Sequence, residues 1–185
     1  NEVGALLIFD EIQSGFGRTG KLFAFEHFNV VPDVLTVGKA FGGGMPIGGF
    51  ISSKENMNKL TFNPKLGHIT TFGGHPVCCA AALASLELIS DPELLAQVEV
   101  KGRLFEDLLI HPKIKEVRRK GMFFAIELEN PEIVQQVVHG CKERGVLTFW
   151  FLSNPQSFRI APPLIISEQE IKSSCQVINQ ILDSI

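Results

Sequence analysis

The sequence has no basic run longer than Arg118-Arg119-Lys120, and its net charge is only -3. That argues against a nucleic-acid binder working through a basic patch. No uninterrupted apolar stretch approaches the ~20 residues needed to cross a bilayer. Asn1 to Gly4 lack the basic segment that opens a secretory signal. Cysteine is sparse: Cys78, Cys79, Cys141 and Cys175 form no C-x-x-C pair and no Cys/His ligand spacing, so neither a disulfide scaffold nor a zinc or other metal site is expected. The five histidines, His27, His68, His75, His111 and His139, are too dispersed for a ligand set. Internal repeats and low-complexity tracts are absent. What is there is apolar: 45% of the 185 residues are hydrophobic, with 17 basic and 20 acidic side chains. That composition excludes intrinsic disorder and supplies a core for one compact domain or two small ones. The expectation is a mildly acidic α/β protein of the cytoplasm.

Ala5-Leu6-Leu7-Ile8-Phe9-Asp10 is a short apolar run ending in a carboxylate, the pattern of a strand buried on both faces. Val34 to Val37 is a second such run, ending in Gly38-Lys39, and Ile47 to Ser53 is a third, weakened by glycine. The chain between the first two has the length of a parallel crossover. Pro76 opens a stretch to Ile89 that is apolar or small nearly all round, which predicts a buried helix with Cys78 and Cys79 as small core residues. Asp91-Pro92-Glu93 starts a second, amphipathic helix with Leu94, Val98, Phe105 and Leu108 on one face. The change of pattern places a domain boundary near residue 90, dividing the chain into residues 1–90 and 91–185. Lys115 to Arg119 and Met122 to Leu128 read as a strand pair about Gly121. Asn130-Pro131-Glu132 opens a helix with an Ile133, Val137 and Cys141 stripe, ended by Gly145. Val146 to Phe151 and Ser157 to Ile160 read as strands, with Trp150 in the core or at an interface. Ser167 and Glu170 form a capping box for a last helix with Ile171, Cys175, Ile178 and Leu182 inward.

Gly15-Phe16-Gly17-Arg18-Thr19-Gly20 spells the dinucleotide motif G-x-G-x-x-G, but its context excludes that function. Gly15 comes five residues after the strand, not at its turn, and the next strand ends in Lys39 where a ribose-binding acid should stand. Asp10 and Lys39 are more informative. Each follows a strand at its carboxyl end, where open α/β sheets bind ligands. A lysine there is costly unless paired, neutral or covalently used. From spacing alone, a plain Asp10–Lys39 ion pair and the Schiff-base lysine with ring-nitrogen aspartate of a pyridoxal phosphate (PLP) enzyme fit equally well. Arg18 and Arg103 read as solvated charges, with a dimer contact as the other use of Arg18.

Leu7-Ile8-Phe9-Asp10-Glu11-Ile12-Gln13-Ser14-Gly15 and the following Phe16 to Gly20 closely resemble a signature of class III aminotransferases, the ornithine, acetylornithine and 4-aminobutyrate type. Pro32 to Gly49, His68 to Pro76 and Phe158-Arg159-Ile160-Ala161-Pro162-Pro163-Leu164 extend the resemblance in the family's order. The likeness implies the PLP-dependent transferase fold type I, with part of the large-domain mixed sheet followed by an α/β carboxyl-terminal small domain. It implies that Lys39 binds PLP covalently and then serves as the base, and that Asp10 keeps the pyridine nitrogen protonated. Gln13 would contact the cofactor's ring hydroxyl, unless it is a plain polar residue at a helix start. Thr71 would reach the phosphate of the neighbouring subunit's PLP, which implies a homodimer. Arg159 would clamp the substrate carboxylate with its guanidinium fork, held by the stiff Ala161-Pro162-Pro163 segment; a surface arginine at a strand end is the plainer alternative.

The implied reaction is ping-pong transfer of an amino group from ornithine, acetylornithine or a similar ω-amino acid to a 2-oxo acid such as 2-oxoglutarate. A related aminomutase or decarboxylase shares the lysine and aspartate, and a non-catalytic fragment is the other alternative. His75 stands where relatives usually carry Asn, and Arg119 where they usually carry Gly. The family's phosphate loop and ring-stacking aromatic have no counterpart here, so the chain resembles a carboxyl-terminal portion, inactive by itself.

Overall fold

The computed structural model describes residues 3–185, which divide into two compact units. The first comprises residues up to Gly17 and Lys21–Pro92; the second comprises Arg18–Gly20 and Glu93–Ile185. Among the described residues, no helix is long and apolar enough to cross a membrane.

The first unit is built on a mixed three-stranded sheet. Its strands are β1 (Ile8–Asp10), β2 (Val34–Val37) and β3 (Gly49–Ser52), in that spatial order. β1 and β2 are parallel, with Ile8 opposite Val34 and Asp10 opposite Thr36, whereas β3 returns antiparallel to β2. The connection from β1 to β2 carries turns and one 3-10 helix, Ala24–His27. Its aromatic residues hold it together: Phe16 is buried, stacked on Phe41 and edge-on to Phe23, each at 5.4 Å between centroids.

Two sequence expectations for this unit are corrected. β1 is not buried on both faces, since Leu6 and Ile8 are exposed; among the described residues it pairs on one side only, with β2. After a short helix α1 (Lys54–Lys59), the apolar helix α2 (Pro76–Ile89) is not buried either. It packs against residues 39–42, and of its residues only Ala82 is buried, leaving Val77, Leu83 and Leu88 exposed. A helix apolar on every side needs more neighbours than one turn of chain supplies. Cys78 is therefore half-buried and Cys79 exposed rather than core. His75 caps α2 by accepting the Val77 amide on Nδ1.

The second unit has a four-stranded antiparallel sheet in the order β4 (Glu116–Lys120), β5 (Phe123–Glu127), β7 (Ser157–Ile160), β6 (Phe149–Trp150). Its helices are α3 (Pro92–Leu108), α4 (Pro131–Glu143) and α5 (Glu168–Ser184). The strands alternate as the period of two requires: Phe124, Ile126, Phe158 and Ile160 point into the core, where they join Phe105 of α3, Val137 of α4 and Ile178 of α5. The helix signals are as read from sequence. Asn130 accepts the Ile133 amide, Gly145 has φ +80 after α4, and Ser167 and Glu170 form the capping box of α5. β6 is shorter than the Val146 to Phe151 run, because its strand pairing to β7 spans only Phe158 and Arg159. Trp150 is not core; it is partly exposed and lines a groove of about 410 Å³ with Val134 and Val138 of α4.

Two glycines let three backbones of the second unit meet. A Cβ on Gly102 of α3 would lie 2.5 Å from the Gly121 carbonyl oxygen. A Cβ on Gly121 would lie 2.5 Å from the carbonyl carbon of Thr19. Gly121 also has φ +56, in the left-handed region that suits glycine.

Candidate active site

Parallel pairing of β1 with β2 brings the carboxyl ends of both strands to one edge of the first unit's sheet. Asp10 stands at the end of β1 opposite Thr36, and Lys39 follows β2 after Gly38. Gly38 is fully extended, and Lys39 then takes φ +48. A left-handed lysine costs on the order of 1 kcal/mol or more, and such strain persists only where neighbours hold it. The neighbour here is α2. Ser85 donates from its hydroxyl to the Ala40 carbonyl at 3.0 Å, and Gly43 lies so close that a Cβ would be 2.9 Å from the Ala81 carbonyl oxygen.

Asp10 uses one carboxylate oxygen to accept the Ile12 amide at 3.0 Å. Its side chain pairs with no cation among the described residues, and the Lys39 amine has neither a hydrogen bond nor an ion pair there. The plain Asp10–Lys39 ion pair is therefore not formed. A carboxylate and an uncommitted amine on adjacent strand ends fit the demands of PLP: one group to hold the protonated ring nitrogen, the other to react with the aldehyde.

Gln13 is half-buried in the turns just after β1, on the same edge. Thr71 is exposed on the turn before α2, where the Gly73 amide donates to the Thr70 carbonyl. No hydrogen bond among the described residues links Thr71 to Asp10, Gln13 or Lys39. Arg159 belongs to the second unit, in the middle of β7, with Ala125 opposite on β5 and Phe149 opposite on β6. It is half-buried and unpaired with any carboxylate among the described residues, and its guanidinium carbon lies 5.2 Å from the centroid of the Phe149 ring.

Sequence reasoning passed over Glu11. It is buried, accepts the Phe25 amide at 2.8 Å and the Ser14 hydroxyl at 2.6 Å, and its own amide donates to the Thr36 carbonyl. Glu11 thus fastens the turns that carry Gln13 to the sheet. The available signal was a second acid directly after Asp10 with serine three residues on, a local pattern that does not by itself reveal the distant Phe25 amide. Arg18 is not a solvated charge. It donates through Nη1 to the carbonyls of Met122 and Pro162, and burial pulls its guanidinium below the usual range. Arg103 is exposed and pairs with Glu99.

The profile of the family described as aminotransferase class-III matches residues 1–182. The ornithine aminotransferase of Toxoplasma gondii is 34% identical, with a TM-score of 0.86 over 99% of this chain and 44% of its own. An aminotransferase of Bacillus anthracis is 31% identical, with a TM-score of 0.88 over 100% of this chain and 46% of its own. The N-acetylornithine aminotransferase of Stenotrophomonas maltophilia is 28% identical at a TM-score of 0.84, covering 99% of this chain and 48% of its own. The chain thus spans a little under half the length of the structures it resembles.

Proposed function

Because the chain belongs to the class III aminotransferases and has the mixed α/β fold of their PLP-dependent members, we propose that it forms part of a transaminase that moves an amino group from an ω-amino acid to a 2-oxo acid. Ornithine or acetylornithine as donor and 2-oxoglutarate as acceptor, used in ping-pong order, follow the named relatives. Residues 1–90 are read as the second part of a PLP-binding large domain and 91–185 as the carboxyl-terminal small domain. Four free cysteines suit a reducing compartment such as the cytoplasm.

The observation that supports the reading best is Asp10 and Lys39 on neighbouring parallel strand ends, neither neutralising the other. When bound, PLP supplies an electron sink conjugated to the substrate's amino-bearing carbon. The Lys39 amine would bind the aldehyde covalently and, once released, carry a proton at its Nζ. The Asp10 carboxylate would hold the proton on the ring nitrogen, and Gln13 would hydrogen-bond the ring hydroxyl. Thr71 would donate its hydroxyl to the phosphate held by a second copy in a homodimer. Arg159 would bind the substrate carboxylate through two parallel N–H bonds, a use open to it because no carboxylate of its own unit occupies the fork.

Borohydride reduction in the presence of PLP, followed by peptide mass spectrometry, tests the central assignment. The pyridoxyl mass is expected on Lys39. Its appearance on Lys21 or Lys54 instead would remove Lys39 from the reaction.

A further inference from the structure

One row of side chains crosses the outward face of the second unit's sheet. Register sets Arg118 opposite Ala125, Ala125 opposite Arg159, and Arg159 opposite Phe149. The two arginines of this row are in contrasting states. Arg118 donates to Glu116, Glu127 and Ser157, and these carboxylates hold its guanidinium charged. Arg159 has no carboxylate among the described residues, and its guanidinium lies over the Phe149 ring. On its other flank Ala125 offers only a methyl group, so of its two cross-strand neighbours Phe149 alone can brace the long side chain. Phe149 is itself stacked, its ring 4.3 Å from that of Trp150 with the planes 17° apart.

We propose that Phe149 is the positioning residue of the Arg159 carboxylate clamp, an inference that rests on the reading of Arg159 given above. A ring beneath a guanidinium engages the face of the cation, whereas its N–H donors project in the plane. Stacking on Phe149 and a bidentate bond to a carboxylate therefore do not compete; the ring holds the fork in the orientation a carboxylate needs. Directly opposed residues on antiparallel strands have Cβ atoms about 5 Å apart, so the pairing needs no rearrangement of the sheet. The sequence Phe149-Trp150-Phe151 read only as core or interface aromatics, because the pairing across the sheet is invisible along the chain.

The test compares Phe149→Leu, Phe149→Trp and Arg159→Lys with the parent protein. Glutarate, an unreactive dicarboxylate, is titrated by calorimetry into each protein, with the Arg159 Nε–H resonance followed in the parent and the two Phe149 variants. KM and kcat for the 2-oxo acid are measured separately on the whole PLP-loaded transaminase of which the chain forms part. Phe149→Leu keeps an apolar side chain of similar bulk but removes the ring. It should weaken glutarate binding about threefold to tenfold and raise KM by the same factor at unchanged kcat, whereas Phe149→Trp should bind as the parent does. If Arg159→Lys leaves glutarate binding intact, the clamp reading fails and takes this inference with it. If Arg159→Lys weakens binding while Phe149→Leu does not, the clamp stands and the role of Phe149 is overturned. Equal losses in the Leu and Trp variants, or a lower kcat with KM unchanged, would make Phe149 a packing residue only and equally overturn it.

Discussion

Arg18 and Met122 hold each other twice. The Met122 amide donates to the Arg18 carbonyl at 3.0 Å, and Arg18 Nη1 donates to the Met122 carbonyl at 3.2 Å. The same Nη1 reaches the Pro162 carbonyl, three residues beyond Arg159. One guanidinium thus ties the turn between β4 and β5 to the end of β7, all within the second unit.

Replacing Arg18 by Ala should therefore destabilise that unit although no apolar core atom is lost. Two charge-assisted bonds disappear and two carbonyls lose their donor, a cost of about 2–3 kcal/mol. Urea unfolding followed by circular dichroism is expected to show the second unit melting at lower denaturant. An unchanged midpoint would mean that water replaces the guanidinium without loss.

The glycine stack predicts a graded series. Ala at Gly121 meets Thr19 backbone at 2.5 Å and is also strained at φ +56; Ala at Gly102 meets the Gly121 oxygen at 2.5 Å. Each should cost at least about 2 kcal/mol, since backbone cannot step aside as a side-chain tip can. Gly145 has φ +80 but open space around it, so Ala there should cost only about 1 kcal/mol. A Gly145→Ala variant as damaged as Gly121→Ala would show that backbone conformation, not contact, governs these two positive-φ positions.

These two features also mark where sequence reading stopped. Caps, strand pairs and the inward stripe of α5 depend on neighbours three or four residues away or on a period of two, and they were legible. The placement of Asp10 and Lys39 was legible because Asp10 ends one strand, Lys39 follows the next after a single glycine, and the two strands are consecutive. The partners of Arg18 and Glu11 were not, because Arg18 bonds residues more than a hundred positions distant and Glu11 an amide fourteen positions on. The exposure of α2 was missed for a related reason: composition shows that a helix is apolar on every side, but not how many of those sides are covered.

In the whole transaminase of which the chain is proposed to form part, Asp10→Asn should leave PLP bound through Lys39 yet slow transamination by at least ~10²-fold, the usual scale for losing a key electrostatic partner. The amide keeps the shape of the side chain and its bond to the Ile12 amide, but it cannot hold a proton on the ring nitrogen by charge. Stopped-flow absorbance of the half-reaction separates binding from turnover. Near-normal turnover would remove Asp10 from the proposed role.

Acid should weaken the second unit through Glu99. Hydrogen bonds from Arg119 foremost, and from Arg103, hold its carboxyl below the ordinary glutamate range against an opposing push from burial. A carboxyl with a depressed folded-state pKa contributes stability above its unfolded value, and that contribution fades as pH falls through the lower folded value. Glu99→Gln should thus be less stable than the parent at neutral pH, with the gap closing below about pH 4.3, where unfolded glutamates take up protons. Glu106 shares Arg119 and should soften the effect. A gap that stays constant down to low pH would mean that Glu99 acts through packing rather than charge.

Hydrogen exchange on this chain should be uneven, and the reason lies in how each unit buries its residues. The second unit gathers buried residues from α3, β5, α4, β7 and α5 into one cluster, so opening any one element exposes several others. In the first unit the buried cluster is Phe16, Leu35 and Val37, with Phe9, Phe23, Phe25 and Phe41 only partly covered around it. Local opening free energy follows buried apolar contact, so amides of β5, β7 and α5 should exchange slowest, near the limit set by global unfolding. Amides of β1 and β3 should exchange far faster, because β1 leaves Ile8 exposed and β3 leaves Phe50 and Ile51 exposed. Transaminase activity of these 185 residues by themselves should be absent, since Asp10 and Lys39 sit on the less protected sheet. Uniform protection across both units, or measurable turnover with PLP and ornithine, would show that the first unit holds its site without further support.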